Sequence, residues 1–544
     1  QGRLDQSSSG PDGGTHGDHV AGIIMGAGNL DPRYRGQAVG AFNYYYTYPN
    51  NINSSPAHYI SRSIRITSNS YSNGCNAGYT SFARQMDQMS RQLPLMLHVF
   101  SSGNEGAANC NYGAGATWGN ITGGHKVGKN VLTVGNLNYI DALNSSSSRG
   151  PATDGRIKPE VCAVGTSVWS TQPNNTYAAF TGTSMSCPAV SGVVAQLMHA
   201  HKAINSGAEA PAALIKAALM NTAEDLGNAG PDFRFGYGRI DALRAVRVLE
   251  DHSYLVDSLT QGTTRTHTIT VPAGQRQLRV MLYWPDYEAA ASSRKNLVND
   301  LDLTLTAPGG TAYQPWVLDP RPTVANLNAV AVRARDTLNN AEQVTLDVPA
   351  AGTYTLTING RAVPQGPQRY YLLYTWLDDR VEMTYPLGGE GFVPGETEAV
   401  RWNAAPGTDP FTLEYTVDNG ATWTTIATGI AATQRYYNWA IPGTLAATGQ
   451  ARLRVSRGSR QDESDANFTL VGVPTNLRAT AVCRAGTTLA WNAVPGATSY
   501  DVMRLGTKYM DSVTTVTSPS AVVLPAGTGD QWYAVRARGA NGMV

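Results

Sequence analysis

Between about residues 60 and 250, short apolar runs alternate with stretches whose apolar positions recur every three or four residues. The runs at 64–67, 95–100 and 131–134 predict strands, and 79–93, 189–204 and 212–222 predict helices. Pro94 ends the first helix, because proline disfavours helical geometry in the residue before it. Strands joined through helices predict a parallel α/β sheet, whose ligands lie beyond the strand carboxyl ends. Beyond residue 250 the period falls to two, Thr, Val and Tyr become frequent, and Pro, Gly, Asn and Asp interrupt, so the second half reads as all β. Segments 263–284, 301–306, 343–348 and 352–376 predict one β-sandwich. A second unit runs from Tyr385 to Leu470 with Trp402 and Trp439 as core aromatics, and a third opens at Val473 and holds Trp491, Tyr500 and Tyr533. The expected domains are therefore 1–250, 251–379, 380–472 and 473–544. The last holds 72 residues, where a seven-stranded sandwich takes roughly 100, so it is expected to stop before its final strand.

Charge narrows the function classes. Lys+Arg 41 against Asp+Glu 40 leaves a net +1, and charged residues make up only 15% of the chain, against roughly 25% in an average soluble protein. That balance argues against nucleic-acid and acidic-membrane partners. No run of about 18 uncharged apolar residues occurs, so no transmembrane segment is expected. The five cysteines never approach C-x-x-C spacing, which argues against a zinc module. Cys162 and Cys187 have small or apolar neighbours and read as buried thiols, whereas Cys75 and Cys110 each sit in a Gly/Asn loop after an apolar run and suit a bridge in an oxidising compartment.

Three segments carry candidate chemistry. Gly182-Thr183-Ser184-Met185 leads directly into the apolar helix from Ala189. Ser184 is either an N-cap or a nucleophile whose backbone N–H and helix dipole face a developing oxyanion. Gly165-Thr166-Ser167 repeats the tripeptide with no helix after it. A serine hydroxyl needs a base, and His16-Gly17-Asp18-His19-Val20-Ala21-Gly22 is the one stretch that fixes an imidazole at the start of an apolar helix. The alternatives there are a surface histidine or a metal pair with His19, although no His-Glu-x-x-His is present. Finally, Ser101-Ser102-Gly103-Asn104-Glu105-Gly106 follows the run ending at Phe100, which places Asn104 in a loop at a strand's carboxyl end, as a plain turn or as a polar donor.

Taken together, His16, Asn104 and Ser184 with these flanks resemble the subtilisin-like serine proteases (subtilases) over residues 1 to about 250, and Ser145–Pro151, Asp154–Glu160 and Gly236–Arg239 match as well. The resemblance implies that His16 is the general base, Ser184 the nucleophile and Asn104 the oxyanion donor of a secreted endopeptidase that works through an acyl-enzyme and needs no cofactor. It also implies that Ser70, Tyr71, Ser72 and Ser101, Ser102, Gly103 line the cleft for a protein or peptide substrate. One departure is that the family's catalytic Asp lies upstream of the His at the end of a buried strand, whereas residues 1–15 contain a single large apolar residue, Leu4. Asp5, Asp12 and Asp18 are poor substitutes, and the orienting Asp is expected upstream of Gln1. Without it the polypeptide should be nearly inactive, because disabling a triad Asp costs about 10⁴ in rate. The competing expectation is a dead protease fold serving as an adhesion or scaffold protein.

The segments around 297–303, 307–311 and 351–356 resemble the jelly-roll sandwich that follows the catalytic domain of the oxidatively stable alkaline proteases, where it braces the enzyme and can bind calcium. Strand alternation puts Asp300 and Asp302 on one face, as a hard-oxygen calcium site or as a solvated polar face. The unit from 380 reads as an Ig-like module, and the unit from Val473 resembles a fibronectin type III domain.

Overall fold

The apolar runs predicted as strands do form a parallel sheet, and burial on both faces explains why the runs at 95–100 and 131–134 are continuous, whereas the edge run at 64–67 alternates and is only partly buried. The computed structural model describes residues 3–5, 14–48, 50–75, 77–483, 486–524 and 530–539. In the first half the elements are β1 (Leu4–Asp5), α1 (Thr15–Met25), β2 (Asn43–Tyr44), α2 (Asn50–Asn53), α3 (Ser55–Ser61), β3 (Ile66–Asn69), α4 (Ser81–Gln92), β4 (Leu97–Ser101), β5 (Leu132–Leu137), β6 (Val161–Val164), β7 (Val168–Gln172), β8 (Thr176–Phe180), α5 (Thr183–Ile204), α6 (Ala212–Thr222) and α7 (Ala242–Glu250). The sheet order is β3-β4-β5-β6, all parallel, with β1 and β2 as a separate parallel pair and β7–β8 as an antiparallel hairpin. Every residue of β4 and β5 is buried. Helix α5 packs across the sheet with Val190, Val193, Val194 and Leu197 in the core. Helix α4 buries Ala83, Met86 and Met89 and stops at Leu93, directly before Pro94. Strand β6 and the β7–β8 hairpin escaped the sequence reading: β6 is a short run of small apolar residues around Cys162, and β7 and β8 mix polar, small and aromatic residues without a clear period.

The sandwich that follows contains β9 (Tyr254–Leu259), β10 (Thr264–Val271), β11 (Gln277–Tyr283), β12 (Asp300–Thr306), β13 (Ala312–Tyr313), a short ribbon of β14 (Trp316–Val317) with β15 (Val332–Arg333), β16 (Ala341–Asp347), β17 (Gly352–Ala362) and β18 (Gln368–Leu377). Two four-stranded antiparallel sheets, β10-β17-β12-β13 and β16-β11-β18-β9, enclose a core around Trp284, Leu303, Leu356 and Tyr370. The outer face of β11 and β18 contributes Met281, Tyr283, Tyr371 and Leu373 to the same core as Leu214, Ile215 and Ala218 of α6. Residues 3–376 thus form one compact unit with a core continuous across residue 250. A buried ion pair crosses that junction: Lys129 Nζ lies 2.7 Å from Asp286, and neither side chain is exposed.

Residues 377 onward form a second unit. Its first part has a three-stranded sheet (Val381–Tyr385, Thr397–Ala404, Tyr436–Ala440) facing a larger one built on Phe411–Thr416 and Thr448–Arg457, with the expected Trp402 and Trp439 buried between them. Its last part has two three-stranded sheets around Trp491, Tyr500 and Val502.

Candidate active site

The start of α5 presents Ser184. Pro188 lies inside this helix and has no N–H, so the carbonyl of Ser184, four residues earlier, loses its helical donor. Ser70, just past the end of β3, supplies the replacement: its Oγ donates to the Ser184 carbonyl at 2.9 Å, and the Ser184 Oγ donates to the Ser70 carbonyl at 3.5 Å. The nucleophile candidate is therefore tied to the strand predicted to hold substrate. Beneath the turn lies the decoy tripeptide. A Cβ at Gly165 would come within 2.6 Å of the Gly182 carbonyl and 2.9 Å of the Ser186 nitrogen, so only glycine lets the 165–167 loop support the start of the helix.

Asn104 is exposed, but its orientation is fixed. Its Oδ1 accepts from the Thr183 N–H at 2.9 Å and from the Thr183 Oγ at 3.0 Å, and the same Thr183 Oγ accepts from the Gly103 N–H at 3.2 Å. With both donors at Oδ1, Nδ2 is left as a donor over the helix start, 3.2 Å from where a Cβ on Gly182 would sit. Thr183 thereby sets which end of the amide faces the candidate nucleophile, a position that sequence reasoning missed because a threonine at a helix start reads as an ordinary cap.

His16 occupies the first turn of α1, with an exposed imidazole whose partial burial against the protein lowers its pKa. His19 is not its metal partner. It is fully buried, its Nε2 lies 3.0 Å from the Ala178 carbonyl, and its ring stacks on Phe180 at 4.4 Å. His16 lines a cavity of about 340 Å³ with Val20 and Ile24 of α1, the segment from Asn43 to Tyr48, and Ile66 to Tyr71 of β3 and its extension. Ser70 lines this cavity too, so His16 and the strand that binds Ser184 meet there. β3 is an edge strand of its sheet, and the cavity lies between it and the run that continues β2. Among the described residues no carboxylate bonds His16. Asp5 pairs with Arg62 at 3.5 Å, the backbone carbonyl of Asp18 accepts from Thr171, and Asp12 lies outside the described residues.

The other expected cleft residues divide. Ser72 is exposed and its Oγ donates to Glu105 at 3.2 Å, while Tyr71 packs on Tyr48 and Phe100. Gly103 has φ +110°. Ser101 and Ser102 are 2% and 0% exposed as whole residues, so they belong to the buried end of the sheet and offer almost no surface to a ligand. Cys75 and Cys110 form a disulfide across 35 residues, joining the loop that carries Ser72 to the loop that carries Asn104. Cys162 and Cys187 are free and buried.

Asp300 and Asp302 do not fit the calcium site expected of them. Arg335 Nη2 donates to Asp300 at 2.7 Å and its Nε donates to both oxygens of Asp302 at 2.8 Å. The two carboxylates are on one face as alternation required, but a guanidinium already supplies the positive charge that a cation would bring.

Comparison with known proteins follows the same division of the chain. Residues 2–238 match the model described as the subtilase family, and residues 263–360 match the bacterial pre-peptidase C-terminal domain. Thermitase from Thermoactinomyces vulgaris is 27% identical over 254 residues, which is 45% of this chain and 79% of thermitase. Subtilisin E from Bacillus subtilis (strain 168) is 33% identical over 108 residues, 20% of this chain and 26% of that protein. Alkaline elastase YaB from Bacillus sp. (strain YaB) is 30% identical over 174 residues, 32% of this chain and 38% of that protein. The solved protease domain of PatA aligns with a TM-score of 0.37 at 18% identity, covering 46% of this chain and 87% of that one.

Proposed function

We propose that this chain, whose residues 2–238 are a subtilase domain and whose residues 263–360 are a pre-peptidase C-terminal domain, is a serine endopeptidase that hydrolyses peptide bonds through an acyl-enzyme. Ser184 Oγ attacks the carbonyl carbon while His16 takes its proton, and His16 then returns that proton to the departing amine. The tetrahedral oxyanion is met by Asn104 Nδ2 and by the N–H of Ser184 at the positive end of α5. A second cycle with water in place of the amine releases the product acid. No cofactor enters this chemistry. The observation that carries the reading is the fixed orientation of Asn104: Thr183 holds its carbonyl with two donors, which leaves the amide donor facing the Ser184 turn.

His16 stands on the wall of the cavity between β3 and the run after β2, and a carboxylate that orients its imidazole would have to reach it there. Secretion is supported by the Cys75–Cys110 disulfide, since such bridges persist in oxidising compartments, and no described helix is long and apolar enough to cross a membrane. The two sandwiches from 380 onward serve as Ig-like and fibronectin type III-like spacers. The test is labelling with a fluorophosphonate. The full-length protein should label at Ser184, its Ser184→Ala variant should not, and its His16→Ala variant should label far more slowly. Equal labelling of wild type and Ser184→Ala would refute the site.

A further inference from the structure

At the junction of the first half with the sandwich lies a cavity of about 290 Å³ that the mechanism above does not use. It sits at the Leu97 end of β4, whereas Asn104 follows the other end of that strand. Tyr283, Tyr287, Tyr371, Pro285 and Pro367 line it from the sandwich side, and Pro94, Met96 and Leu97 from the first half. Tyr371 is 3% exposed, and its hydroxyl makes no hydrogen bond among the described residues. A phenol so placed costs free energy unless something in the cavity satisfies it. Two guanidinium groups also reach this space. Arg91 is committed, because its Nε and Nη2 each donate to an oxygen of Glu288 at 3.1 Å. Arg369 is not. Strand alternation puts it on the face of Tyr371 and Leu373, its guanidinium lies 5.8 Å from the centre of the Tyr371 ring, and no carboxylate pairs with it among the described residues. Helix α6 begins here too. The Ala212 N–H donates to the Pro94 carbonyl at 2.9 Å, the Ala213 N–H has no acceptor among the described residues, and the first turn carries no acidic side chain.

We propose that this cavity binds a carboxylate carried on an aromatic ring, either a small aryl acid or the C-terminal aromatic residue of a peptide. The uncommitted groups are all donors: the Arg369 guanidinium, the Ala213 N–H at the positive end of α6 and the Tyr371 hydroxyl. A guanidinium fork matches a carboxylate with two parallel hydrogen bonds, and one uncompensated positive charge suits one negative charge. Flat tyrosine and proline walls suit a ring in the remaining space. At about 290 Å³ the cavity stands at the lower end of the range for small-molecule sites, enough for one ring and its acid group. A molecule held there touches α6 of the first half and β18 of the sandwich at once, so it stabilises the junction between them. None of these residues belongs to the candidate active site, and the proposed site stands or falls apart from the hydrolase reading.

The full chain carrying Ser184→Ala, which prevents turnover of a peptide, is titrated by calorimetry with N-acetylphenylalanine, its amide, N-acetylalanine and the peptide Ala-Ala-Ala-Phe. The aromatic acid should bind one per chain. Its amide, which loses the charge-assisted hydrogen bonds, and N-acetylalanine, which loses the ring, should each bind about tenfold more weakly. Adding Arg369→Gln, at an exposed position, should weaken the acid about tenfold and leave the amide unchanged. Tyr371→Phe, which removes only the hydroxyl, should weaken the acid about threefold. Binding of Ala-Ala-Ala-Phe as tight as that of N-acetylphenylalanine supports a peptide end as the ligand; binding of the N-acetyl acid alone supports a small aryl acid. Equal affinities for acid and amide, an acid affinity in Arg369→Gln within about twofold of its parent, or no saturable binding of any acid would overturn the proposal.

Discussion

Replacing Ser70 by Ala isolates one hydrogen bond that the tertiary structure makes necessary. Pro188 removes the N–H that would otherwise bond the Ser184 carbonyl, and Ser70 Oγ at 2.9 Å takes its place. Deleting that hydroxyl leaves a helix carbonyl without a donor beside a core, which costs about 1–3 kcal/mol of stability. The same deletion should cost almost nothing in a Pro188→Ala background, because the restored N–H at 188 can close the helical bond to Ser184 by itself. The double-mutant cycle over wild type, Ser70→Ala, Pro188→Ala and the pair should therefore show a coupling of about 1–2 kcal/mol. Urea unfolding followed by tryptophan fluorescence measures it, with fluorophosphonate labelling rates as a parallel readout: Ser70→Ala should slow labelling, and Pro188→Ala should restore part of the loss. A Ser70→Ala penalty equal in both backgrounds, within about 0.5 kcal/mol, would show that the hydroxyl acts elsewhere.

Other consequences can be measured directly. Reducing the Cys75–Cys110 bridge releases a loop with a sequence separation of 35 residues; the chain-entropy relation puts the loss at about 3.8 kcal/mol, and an unfolding curve unmoved by reductant would contradict it. Lys129→Met strips the counter-charge from buried Asp286, whose carboxyl burial already holds above its usual range. The penalty should reach about 3–5 kcal/mol near neutral pH. Because the raised pKa makes the native state bind the proton more tightly than the unfolded chain, the penalty should shrink at pH 5 and grow at pH 8 in urea titrations, and a penalty independent of pH would count against it. Thr183→Val removes one of the two donors that hold the Asn104 carbonyl; peptide hydrolysis should lose about tenfold in kcat with little change in KM, as expected for an interaction realised in the transition state, and a rise in KM alone would place Thr183 in substrate binding instead.

Much of the site was legible because its parts are local. Ser184, His16 and Asn104 each sit where a strand or turn runs into a helix or loop, and such junctions leave their mark in Gly and Pro spacing and in the adjoining apolar run. The strands at 95–100 and 131–134 were legible because β4 and β5 are buried on both faces, so their apolar runs are unbroken, and the run at 64–67 was legible from its two isoleucines at period two. What escaped depends on partners far away in the chain. The period change at residue 250 marked a boundary of secondary structure, yet Met281, Tyr283 and Tyr371 close the same core as α6, because an outward-facing apolar residue of a sheet looks identical in sequence whatever covers it. Asp300 and Asp302 show the limit most plainly. Their spacing put both carboxylates on one face, but Arg335 determines what compensates them.

By itself, the amino-acid sequence determined most of the elements of the first half and nominated the candidate reactive groups, since periodicity and turn chemistry act over a few residues. Only the tertiary structure decided the orientation of Asn104 by Thr183, the support of Ser184 by Ser70 and the pairing of Lys129 with Asp286. These are contacts between segments tens of residues apart, and their energies depend on distance and burial, which a linear sequence does not contain.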